Sequence, residues 1–172
     1  MKRQDLEHII RAAGAIARSR ELVIIGSQSI LGMYPEAPQE LLISNEADLY
    51  PVEDPSKADL IDGSIGELSP FHEQFGYYAH GVGPETAALP SGWKNRSVRI
   101  NNANTAGVSG ICLHPADLAA SKLVAGRERD FEYIRSLLQH GMVSTSEIES
   151  VISELPKDQS ELAAKRLRAL PS

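Results

Sequence analysis

Three groups of residues in this chain of 172 have types and spacings that chemistry uses. The first is Gly26-Ser27, at the end of the apolar run ELVII. A glycine at the end of a buried strand lets the backbone approach a ligand closely. The free N–H groups and partial positive charge of a helix start cradle phosphate. The bland reading of the same pair is a plain strand-to-helix turn with a serine cap. The second group is Glu46-Ala47-Asp48. On a strand, residues two apart face the same way. Two carboxylates side by side repel unless a cation sits between them, and Mg²⁺ takes such oxygen ligands while keeping substrate phosphates in its shell. The alternative is a solvated strand end with two exposed acids. The third group is Lys122 with Arg129-Asp130. Lys122 stacks over Leu118, and Asp130 precedes Ile134 and Leu137 on the same side, so both charges border apolar stripes. A charge there needs a partner or a ligand; a Lys122–Asp130 ion pair is the alternative to a ligand.

The elements that must position these groups follow from periodicity. Leu6, Ile9, Ile10, Ala13 and Ile16 or Ala17 predict a helix over residues 3–19. Leu22 to Ile25 reads as a buried strand, followed by a short helix from Gln28 to Met33 that Ser27 caps and that must stop before Pro35. Residues 41–50 contain a second strand closed by Pro51. A helix is expected over 56–67, with Ser56 as cap and Leu60, Ile61 and Ile65 facing in. The segment SPFHEQFGYYAHGVGPE mixes a helical turn with a strand. RSVRINN and GVSGICL are two further strands. His114-Pro115 opens a helix through Val124, with proline in the favoured first turn. Three more helices follow: one over 127–139, one behind the Ser144/Glu147 capping box, and one carrying Leu162, Ala163, Leu167 and Leu170. The expected fold is α/β (α+β), a small mixed β-sheet flanked by helices. We expect a core over residues 1–140 and a helical C-terminal appendage over 141–172, within one compact unit.

Bulk properties narrow the classes. A net charge of −6 argues against a wholly basic nucleic-acid module, although local basic patches remain open. Cys112 is the only cysteine, so an intramolecular disulfide and a Cys-rich metal site are excluded; its place in the run ICL reads as a buried, inert thiol. No run approaches 18 apolar residues, and MKRQDLEHII lacks the apolar stretch of a signal peptide, so no membrane association and a cytoplasmic location are expected. The five histidines form no zinc motif with cysteine, and His72 and His80 read as solvated or hydrogen-bonded. Phe71, Phe75, Tyr77 and Tyr78 read as packing before base stacking. Trp93, beside Lys94 and Arg96, is either a loop anchor or a nucleobase contact. There is no Gly-Lys-Ser/Thr phosphate loop and no Gly-x-Ser-x-Gly elbow.

The order of apolar strand, Gly26-Ser27, short helix and Glu46-x-Asp48 resembles the polymerase-beta-like nucleotidyltransferase superfamily. The resemblance implies that Gly26 and Ser27 bind the triphosphate and that Glu46 and Asp48 hold Mg²⁺. The stretch HPADLAASKLVAGRERDFEYI resembles the helical region of AbiEii-like nucleotidyltransferases of toxin–antitoxin systems, and this implies that Lys122, Arg129 and Asp130 complete the site. The wording GSQSILG, SNEADLYP, IDGSIGELSPFHEQFGYYAHGV, LPSGW and DLAASKLVAGRERD also looks like one bacterial branch of the superfamily, covering about residues 20–140. The implied activity is metal-dependent transfer of a nucleotide from a nucleoside triphosphate to RNA or a protein hydroxyl, with a cognate toxin or antitoxin protein as partner. The alternative is a catalytically inert, antitoxin-like protein of the same fold that binds a nucleotide or a partner. One departure stands out. Most active members of the family it resembles carry a third carboxylate on a later strand, and the best later strand here, Ser97 to Asn101, offers Arg99 but no acid. Asp62, Glu67 and Asp130 are the substitutes in view.

Overall fold

The structure, a computed structural model, describes residues 1–171. The first helix, α1 (Arg3–Ala17), buries Leu6, Ile9, Ile10, Ala13 and Ala17 almost completely, the spacing of one helical face. Arg18, in the left-handed conformation, ends it. Strand β1 (Glu21–Ile24) is short and almost wholly buried. It runs antiparallel to β2 (Glu46–Pro51), with Ile24 opposite Leu49. Helices α2 (Ala58–Ile65) and α3 (Pro70–Phe75) then carry the chain across to β3 (Tyr78–Gly81), which lies parallel to β2. A parallel pair needs such a crossover, because no tight turn can join its strands. After α4 (Trp93–Arg96), the strands β4 (Val98–Ile100) and β5 (Ser109–Cys112) pair antiparallel, and β5 runs parallel to β1. The sheet order is β3-β2-β1-β5-β4. This is the small mixed sheet with helices that the sequence predicts.

The remaining chain is helical: α5 (Pro115–Ala125), α6 (Glu128–Gln139), α7 (Thr145–Ile152) and α8 (Lys157–Ala169). Two units result. One comprises Met1–Thr86 and Val98–Cys112 and contains the whole sheet; the other comprises Ala87–Ser97 and the chain from Leu113 onward. The chain passes between the units at Thr86–Ala87, Ser97–Val98 and Cys112–Leu113, and in the second unit α5 packs against α6, α7 and α8. Within the second unit, α5 is buried on nearly all sides. Arg96 grips the fully buried Asp117 through Nε and Nη2, at 2.9 and 2.7 Å, and also contacts Glu154. Arg166 donates to the last carbonyls of α5, those of Leu123 and Val124. Gly126, at φ 69°, ends α5 where a side chain would strike Arg166.

Two local expectations are corrected. The segment after Gly26 is a 3-10 helix, Ser27–Gly32, with Gly26 and not Ser27 in the cap position. In α2, Ala58, Ile61 and Ile65 face inward and Leu60 is exposed; the helix starts at Ala58, after a 3-10 turn Pro55–Lys57 that Asp54, and not Ser56, caps.

Candidate active site

The antiparallel pairing of β1 and β2 brings the end of one strand to the start of the other. The Ile25 N–H donates to the Asp48 carbonyl at 2.9 Å, which carries Gly26 alongside Asp48. A Cβ on Gly26 would collide with Asp48 Oδ2, so glycine is required there by close approach and not by backbone angle, since its φ is −81°. Along β2, Ala47 and Leu49 are fully buried while Glu46 and Asp48 are partly exposed. The two acids therefore share the opposite face.

The parallel register of β2 with β3 adds what the sequence alone did not reveal. Glu46 lies beside Tyr78 and Asp48 beside His80. The Tyr78 hydroxyl donates to Glu46 Oε2 at 2.9 Å. His80 Nδ1 lies 2.8 Å from Asp48 Oδ1 and 3.5 Å from Glu46 Oε1. One ligand atom from each of Glu46, Asp48 and His80 lies within 4.8 Å of the others. The strand beside the acids is thus β3, carrying a histidine. The strand around Ser97–Asn101 is β4, at the far edge beyond β1 and β5. Of the substitute acids, Asp62 accepts the Gly81 N–H at 3.1 Å and adds negative charge near His80.

The electrostatics reflect like charge held together. Burial, then the adjacent Glu46, pushes Asp48 up to about 6, against a smaller pull downward from His80. Burial pulls His80 down, but the hydrogen bond and charge of Asp48, with Glu46 and Asp62, raise it overall. Burial and Glu46 together push Tyr78 up to about 12. Two carboxylates and an imidazole with one atom each within 4.8 Å of the others could hold a divalent cation, and the side-chain-free surface of Gly26 adjoins Asp48.

Ser27 follows Gly26 directly and is half-exposed. Lys122, Arg129 and Asp130 lie in the second unit. There Lys122 Nζ sits 3.3 Å from Asp130 Oδ1 and 4.3 Å from the centre of the Tyr133 ring. Arg127 Nε also meets Asp130, at 2.8 Å, and the Arg127 N–H donates to the same carboxylate, whereas Arg129 is exposed. Burial lowers Lys122; burial would raise Asp130, but its Arg127 hydrogen bonds and Lys122 hold it below the usual carboxylate range. Trp93 is buried at the start of α4, and burial pushes the Cys112 thiol up to about 12, which keeps it unreactive.

Residues 4–170 match the family described as nucleotidyltransferase of unknown function, DUF6036, and the chain belongs to it. That membership implies a nucleotide substrate. No curated protein and no solved structure matches the chain. Among the described residues, no helix is long and apolar enough to cross a membrane.

Proposed function

We propose that the protein is a metal-dependent nucleotidyltransferase, moving a nucleotide from a nucleoside triphosphate to a hydroxyl of RNA or protein. One observation carries this reading: the bare backbone at Gly26 packs against Asp48 of the acidic pair, so a backbone surface that a phosphate could approach adjoins one of the acids that would hold a cation. In the reaction, the acceptor oxygen bonds to the α-phosphorus. The bond to the β-phosphate oxygen breaks, pyrophosphate leaves with the electron pair, and the hydroxyl proton passes to solvent or a base. A divalent ion such as Mg²⁺, when bound, neutralises phosphate charge and makes the attacking hydroxyl more acidic. Glu46 and Asp48 supply its oxygen ligands, with Tyr78 fixing the orientation of Glu46. Gly26 and Ser27 border the triphosphate. The roles of Lys122, Arg129 and Asp130, and a toxin–antitoxin setting, rest on the resemblance of their helical stretch.

A second reading has its own observation. The strand flanking the acids carries His80 and no carboxylate, which favours a protein that binds a nucleotide or a partner without transfer. Incubation with each of the four α-³²P-labelled nucleotides, a divalent ion and a cell lysate separates the two. Transfer of label to RNA or protein, abolished by Glu46→Gln, supports the enzyme. Binding without transfer for all four supports the second reading.

A further inference from the structure

We infer that His80 is the third ligand of this cation site and makes it selective for Mn²⁺ over Mg²⁺. The inference rests on the cation-site reading of Glu46 and Asp48 given above. Its ground is placement. The in-register parallel pairing of β2 with β3 sets His80 beside Asp48, on the strand that directly flanks the acidic pair. Its Nδ1 stands 2.8 Å from one carboxylate and 3.5 Å from the other. Ligand atoms about 2.1 Å from one six-coordinate ion lie about 3 Å apart, so the groups that here share a His80–Asp48 hydrogen bond need move little to surround one ion. The side chain is 49 % exposed, which leaves the ring room to turn its nitrogen from the carboxylates to an ion held among them.

The surroundings support a ligand more than a bystander. Glu46 is oriented through Oε2 by Tyr78, which leaves Oε1 on the His80 side. Asp62, fixed on the Gly81 N–H, adds a negative charge near the ring. Outer groups of this kind commonly orient the ligands of metal sites. The donor set then bears on the ion. Mg²⁺ favours oxygen alone, whereas an imidazole nitrogen favours first-row transition ions over it, and of these Mn²⁺ shares the taste of Mg²⁺ for carboxylate oxygen. An all-carboxylate site would not discriminate in this way.

The test is electron paramagnetic resonance on the full chain titrated with Mn²⁺, with Mg²⁺ as competitor and electron spin-echo modulation recorded on the bound ion. The expected result is ¹⁴N modulation from a coordinated imidazole, lost in His80→Asp. That variant should still bind ions, but its preference for Mn²⁺ over Mg²⁺ should fall by about 10- to 100-fold, the range that changes around a metal site produce. Bound Mn²⁺ without nitrogen modulation in the unaltered chain, which requires no variant to fold, overturns the inference and leaves the cation-site reading standing. So does an ion preference that His80→Asp leaves unchanged. If neither ion binds, with or without a nucleoside triphosphate, both the inference and the cation-site reading fail.

Discussion

Without divalent ions, Asp48→Asn should raise the melting temperature at pH 8, and the gain should disappear as the pH falls to 4. The Asp48 carboxyl is raised from 3.8 to about 6, first by burial and then by Glu46. A raised carboxyl binds its proton more tightly in the folded chain than in the unfolded one. Its contribution to stability is therefore complete below 3.8 and is lost as the pH rises through about 6. At pH 8 the folded chain must hold a carboxylate that it disfavours. At 1.36 kcal/mol per pH unit the shift corresponds to about 3 kcal/mol. Two features reduce that figure: the Asp48 side chain is 28 % exposed, and the carboxylate keeps a contact with His80 at 2.8 Å that a neutral amide weakens. A net gain of about 1–2 kcal/mol remains, within the ordinary range for point changes. For a chain of this length that is about 2–6 °C. His80 adds to the trend, because its raised pKa stabilises the folded chain below pH 6.5 and depends on Asp48. Melts followed by circular dichroism in EDTA, from pH 4 to 8, measure the difference. A variant less stable than the original at pH 8, or a gain that does not change with pH, would refute the reasoning.

Gly26→Ala should cost about 1–3 kcal/mol in urea unfolding, because the new methyl group displaces the Asp48 carboxylate; calorimetry should also show weakened ion-dependent nucleotide binding. Arg96→Ala should cost about 3–5 kcal/mol, since it leaves the fully buried Asp117 carboxylate without its bidentate partner. Lys122→Met should cost about 1–3 kcal/mol in the same assay, because the buried Asp130 loses its Lys122 partner while keeping Arg127.

The parts of the site carried by local pattern were legible in the sequence. Glu46 and Asp48 are two apart on one strand, so their shared face follows from period two. The apolar run before Gly26 marks a strand end whatever follows it. The cap was harder to place: Ser27 has the right chemistry, but the chain turns one residue earlier and tightens into a 3-10 helix. His80 is hydrogen-bonded, as its sequence context suggested, but its place beside Asp48 was hidden because it comes from the register of two strands separated by a crossover of two helices. No spacing in YAHG signals that its third residue will stand beside Asp48. The partner of Asp130 turned on position as well. At the third residue of α6, its carboxylate reaches back to the Arg127 N–H, so Arg127 and not Arg129 lies in contact with it. The division of the chain was hidden because α5 and α6 read as continuous with the strand before them, while their packing partners α7 and α8 come later.

The most direct test of the central claim is calorimetric titration of a non-hydrolysable nucleoside triphosphate analogue, with and without a divalent ion, into the unaltered chain and Glu46→Gln. The account predicts binding that requires the ion and is lost in Glu46→Gln. Equal binding in EDTA, undiminished by Glu46→Gln, would contradict it.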